Sequence, residues 1–196
     1  HLHADHCGCN TMREGDAATA PDVVIVNLSL GNRRRPFHGQ LSPWARVLDR
    51  LAYRFGLLFI VSAGNCLDPL RIEAFASTTA FEDANPEDRA AETLRALGNV
   101  MGERRVFSPA ETVNGLTIGA LNEDTLPEER LGSARINVDP YGPRRMPNPS
   151  STLGPGFARS VKPDLLLPGG REHLRPIRSG EVLEVAPGRP NRFAGL

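Results

Sequence analysis

The first organised segment of the chain is an apolar, β-branched run, Val23-Val24-Ile25-Val26, that ends abruptly in Asn27-Leu28-Ser29-Leu30-Gly31. A second run, Leu57-Leu58-Phe59-Ile60-Val61, ends in Ser62-Ala63-Gly64-Asn65. Continuous apolar runs, as opposed to alternating ones, predict strands buried on both faces, as in a parallel sheet. Between them, Ser42-Pro43 supplies an N-cap and an N1 proline. Trp44, Val47, Leu48, Leu51, Ala52 and Phe55 then fall on one face of an amphipathic helix. Arg46, Asp49, Arg50 and Arg54 fall largely outside that stripe and are expected in solvent, and Gly56 stops the helix. The unit reads strand, helix, strand, with both small-residue ends delivered to one sheet edge.

Elsewhere the pattern is less regular. Residues 1–20 have no periodicity and read as an irregular lead-in. A long polar insertion occupies about 66–107. Within it, Asn85-Pro86-Glu87-Asp88 predicts a capped helix running to about Leu97, and the whole stretch reads as an elaborated surface loop. After Leu121, Pro140, Pro143, Pro147, Pro149 and Pro155 exclude a long helix in favour of short strands and turns. The alternation in Glu181-Val182-Leu183-Glu184-Val185 predicts a hairpin or edge strand.

A length of 196 residues fits one domain with a sizeable core. Lys plus Arg equal Asp plus Glu at 23 each, so net charge points to neither nucleic acid nor a membrane surface. No apolar stretch approaches the length of a membrane span, and no signal peptide is visible. Three cysteines do not make a disulfide framework, which slightly favours a cytoplasmic location but leaves localisation open.

Two downstream motifs give these runs a context. Ser108-Pro109-Ala110 precedes Leu116-Thr117-Ile118-Gly119-Ala120. Ser150-Ser151-Thr152-Leu153-Gly154-Pro155 precedes Lys162-Pro163-Asp164-Leu165-Leu166-Leu167-Pro168-Gly169. With the two opening runs, they resemble, in the family's own order, the central motifs of subtilisin-like serine proteases (subtilases, peptidase family S8). The resemblance covers Pro21 to Gly169 and implies an α/β fold, a largely parallel sheet with helices on both faces. The triad motifs of that family are absent. No Asp precedes Thr-Gly or Ser-Gly, His38-Gly39 is followed by Gln40, and no Gly-Thr-Ser occurs. The chain therefore reads as the middle of a subtilase domain, with residues 21–196 a partial catalytic domain. The implied activity is serine endopeptidase action on a peptide or protein substrate.

The resemblance assigns Asn65 to the oxyanion hole, where a side-chain amide donates to the developing negative charge. It assigns Ser29, Leu30 and Gly31 to main-chain pairing with an extended peptide. Ser62, Ala63 and Gly64 become the opposite wall of the S1 pocket, and small residues on both walls point to a roomy pocket. Calcium enters only as a property of the family, since no acidic loop rich enough to hold it is evident.

Other readings compete. Ser29 lies one residue from a G-x-S-x-G nucleophile elbow, which would make the protein an α/β-hydrolase, although Asn27 and the basic loop Arg33-Arg34-Arg35-Pro36 fit that elbow poorly. A degenerate, non-catalytic peptide-binding module is the other alternative. His1, His3, His6, Cys7 and Cys9 are potential zinc ligands without the usual structural spacing. Cys66 reads as a small buried residue. Arg33, Arg34 and Arg35 read as a solvated charge run that could meet acidic substrates.

Overall fold

The computed structural model describes residues 20–123, 138–179 and 182–187. The two opening runs form β1 (Ile25–Leu28) and β3 (Leu58–Ser62), with β2 (Asn32–Pro36) and helix α1 (Pro43–Phe55) between them. The helix starts where the capping chemistry requires. Ser42 Oγ accepts the Ala45 N–H at 3.0 Å, Pro43 occupies the first turn, and Gly56 closes the helix at φ 64°. β6 (Leu116–Leu121) and, after the short antiparallel pair β7 (Gly154–Pro155) and β8 (Val161–Lys162), β9 (Leu165–Pro168) complete a four-stranded, all-parallel sheet in the order β1-β3-β6-β9.

The α/β architecture is as the patterning implies, but the two faces of this sheet differ. Side chains alternate across a strand. Val26, Leu28, Phe59, Val61 and Ala63 therefore meet Leu48, Leu51, Ala52 and Phe55 of α1, with Phe37, Leu57, Val106 and Ala110 closing the core. The other face carries Ile25, Ile60, Ile118, Leu165 and Leu167. There Ile25, Leu165 and Leu167 are at least half exposed, and no described helix covers them.

Two expectations for α1 need correction. Its buried centre is Ala45, Leu48 and Ala52, while Trp44 and Val47 stay exposed, because the sheet contacts a narrower stripe than the apolar positions cover. Asp49 is not simply solvated. Its carboxylate accepts the Thr112 hydroxyl and the N–H groups of Val113 and Asn114, each N–H at 2.8 Å, and so pins the turn before β6.

The insertion is a packed unit and not a loop. It contains β4 (Leu70–Ile72), α2 (Thr78–Asp83) and α3 (Pro86–Asn99). Asn85 Oδ1 caps α3 through the N–H groups of Glu87 and Asp88, and the helix runs two residues past Leu97. β10 (Leu174–Ser179) and β11 (Val182–Pro187) form the hairpin expected near the C-terminal end. β11 also pairs with β4, which makes it the central strand of a second sheet, order β10-β11-β4, and not an edge. Leu70, Ile72, Phe81, Ala96, Leu97, Leu174, Leu183 and Val185 form a separate core under this sheet. Alternation alone could not reveal this, because the partner strand lies more than a hundred residues upstream.

Candidate functional site

Parallel pairing puts the carboxyl ends of β1, β3, β6 and β9 along one edge, where open α/β sheets bind ligands. A groove of about 360 Å³ lies there, lined by Ser29 after β1, Ser62 at the end of β3, Gly64 and Asn65 after it, Ser151, and Gly169 after β9. The structure thus brings together Ser29, Ser62, Gly64 and Asn65, residues drawn from separate strands of the sheet.

Asn65 is exposed, and its carboxamide has no hydrogen-bond partner among the described residues. Its backbone is held firmly. Asn65 forms an antiparallel bridge with Ser151, Thr152 N–H donates to Gly64 O at 3.1 Å, and Cys66 N–H donates to Ser150 O at 2.8 Å. A free amide on a fixed backbone can donate to a charge that develops in the groove.

Of the other candidates, Ser29 and Leu30 are exposed between β1 and β2, as a segment open to peptide pairing must be. Ala63 departs from expectation. It is 1% exposed and points into the α1 core, because side chains alternate and its neighbours Ser62 and Gly64 take the groove side. Its carbonyl accepts from Phe107 N–H at 2.9 Å and from Thr152 Oγ at 2.7 Å. Gly64, at φ 113°, occupies a left-handed conformation that favours glycine.

The nucleophile-elbow reading of Ser29 does not survive. That elbow requires a helix directly after the serine, and β2 follows instead, pairing antiparallel with β5 (Phe107–Ser108). Among the described residues, Ser29 Oγ donates only to Asn27 Oδ1, at 3.4 Å. Arg33, Arg34 and Arg35 consequently belong to an exposed strand and not to a loop; Arg33 approaches Asp68 at 4.0 Å. Cys66 is buried and donates to Asp68 Oδ2 at 3.3 Å. Burial pushes its thiol above the ordinary range, which suits packing and not attack. His1, His3, His6, Cys7 and Cys9 lie outside the described residues. No group of three or more His, Cys, Asp or Glu able to hold a metal occurs among those described. Among them, too, no helix is long and apolar enough to cross a membrane.

Sequence reading assigned no roles to the residues that support the site. Arg104, 4% exposed, donates to Pro149 O at 2.6 Å and to Asp68 O, joining the segments on either side of Asn65. Glu172, 5% exposed, accepts Ser150 N–H at 3.1 Å as well as the Ser150 hydroxyl. Burial raises the Glu172 carboxyl above its ordinary value, and the bonds from Ser150 only partly oppose this. A charged residue in a polar insertion or beside Pro168-Gly169-Gly170 looks like any solvated turn residue, so neither Arg104 nor Glu172 carried a signal. Ser151 and Thr152 were visible as a motif, but not as the strand that clamps Asn65.

Residues 6–192 match the model of the subtilase family. The uncharacterized protein y4bN of Sinorhizobium fredii (strain NGR234) is 30% identical over 163 residues, 80% of this chain. The match spans only 34% of that relative's length.

Proposed function

The chain belongs to the subtilase family, and from that premise we propose that the whole protein is a serine endopeptidase whose oxyanion hole includes Asn65. The observation that carries this reading is the unpaired Asn65 carboxamide at the groove edge, on a backbone clamped by Ser151 and Thr152. A peptide lying extended along Ser29, Leu30 and Gly31 would gain main-chain hydrogen bonds and place one carbonyl at Asn65. When a serine oxygen adds to that carbonyl, the C=O electron pair moves to oxygen, and the Asn65 N–H donates to the resulting oxyanion. The oxyanion then collapses to an acyl-enzyme as the amine leaves with a proton, and water completes hydrolysis. The serine, histidine and aspartate motifs of this chemistry are absent from these 196 residues. This chain supplies binding and oxyanion stabilisation. The reading assigns no cofactor, nucleic acid or membrane.

The test is to incubate the full-length protein with a denatured protein substrate, with and without a serine-directed phosphonate. Phosphonate-sensitive cleavage, absent when residues 1–196 are assayed alone, is the expected result. A full-length protein that binds peptides but never cleaves them would favour the non-catalytic module. Turnover by the 196-residue chain alone would mean that a nucleophile lies within it.

A further inference from the structure

We propose that Phe107 sets the substrate class of this site by filling the cleft between its two glycine walls, so that the residue donating the cleaved carbonyl must be small: glycine, alanine or serine. The inference rests on the peptidase reading above, which places that side chain between Gly31 and Gly64.

Two small walls make a deep pocket only if the space between them is empty, and here it is not. A Cβ built on Gly64 would lie 2.8 Å from Phe107 Cγ and 3.1 Å from its Cβ. One built on Gly31 would lie 3.2 Å from Phe107 Cβ. Both glycines thus abut the same phenylalanine, which is 5% exposed. Gly64 also lines the groove beside Asn65, so the cleft that the ring fills adjoins that groove at Gly64.

Phe107 has little freedom to withdraw. Its N–H donates to Ala63 O at 2.9 Å, its carbonyl accepts from Ala110 N–H at 2.8 Å, and β5 pairs it with Pro36. These bonds tie the residue to β3, to the following turn and to β2 at once. A methyl or hydroxymethyl group fits above such a floor, whereas a phenyl or isobutyl group requires the ring to leave a close-packed position.

The experiment uses full-length protein and peptide substrates that differ only at the residue donating the cleaved carbonyl. With wild type, kcat/KM for alanine should exceed that for phenylalanine by about 10²-fold, the order of discrimination that steric fit in an apolar pocket achieves. Phe107→Ala should raise the phenylalanine-to-glycine ratio of kcat/KM at least ~10-fold. Phe107→Leu should fall between, and it keeps the test alive if the alanine variant folds poorly. A wild type that prefers phenylalanine or leucine, or an unaltered preference in a folded variant, overturns the proposal. A protein that cleaves nothing defeats the peptidase reading separately. Selectivity is then measured by calorimetry with peptides ending in Ala or Phe acids. Preference for Ala, relaxed by Phe107→Ala, sustains the inference, and no binding or no discrimination overturns it.

Discussion

In the antiparallel unit, Leu70, Phe81, Leu174 and Val185 are fully enclosed, whereas on the parallel sheet Ile25, Leu165 and Leu167 each keep half or more of their surface exposed. Both regions are built from strands and helices of similar length, so propensity does not explain the contrast. The difference lies in what covers each sheet. β4, β11 and β10 have α3 and α2 packed against them. The β1-β3-β6-β9 sheet has α1 on one face and no described element on the other. Each of these half-exposed side chains forgoes about half of the ~1.5–3 kcal/mol that full burial contributes. The region that carries the candidate chemistry is therefore the less self-sufficient of the two, and the insertion is the more complete.

The largest expected effect comes from breaking the enclosed core. Phe81 is fully buried and meets Phe75 edge to face, with ring centroids 5.4 Å apart. Phe81→Ala should cost about 3–5 kcal/mol. Hydrogen exchange should show protection lost in α3 and β11 and retained in β3 and β6. Equal loss in both regions would mean that the two cores fold as one unit.

Next is Asn65→Ala in full-length protein. It should lower kcat by about 10²–10³-fold with little change in KM, because in the proposed mechanism the amide contacts only the developing oxyanion. That magnitude is the one known for an oxyanion asparagine of subtilisin, carried over to Asn65 through the shared family. An active, folded variant would remove Asn65 from the mechanism.

Glu172 gives a gentler, pH-dependent effect. Burial raises its folded pKa, so the folded state holds this proton more tightly than the unfolded chain. The associated stability is fully present below the ordinary value of 4.5, and it is lost as pH rises from there through the raised folded value. Denaturant midpoints for Glu172→Gln should fall less steeply with pH across that window, since a glutamine oxygen still accepts from Ser150 without titrating. An unchanged slope would show that Glu172 is not the group responsible.

The smallest effect sharpens the contrast from the other side. Leu165→Ser, on the bare face, should change stability of the 196-residue chain by no more than about 0.5 kcal/mol while reducing binding of a hydrophobic dye. A loss above about 1 kcal/mol would show that this face is covered in solution.

What is local in this protein is legible in its amino-acid order. β-branched runs mark β1 and β3, Ser42-Pro43 and Gly56 bound α1, Asn85-Pro86 opens α3, and ordered motifs mark β6 and place Asn65 and Ser29 at strand ends. Each depends on backbone propensity and spacing within a few residues. The remainder is decided by packing between distant segments. Packing turns Ala63 into the core, pairs β11 with a strand far upstream, buries Arg104 and Glu172 behind Asn65, and sets Phe107 between two glycines expected as pocket walls. The physical reason is that what fills a space depends on which distant segment arrives there, and glycine looks the same in sequence whether it borders a cavity or a phenyl ring.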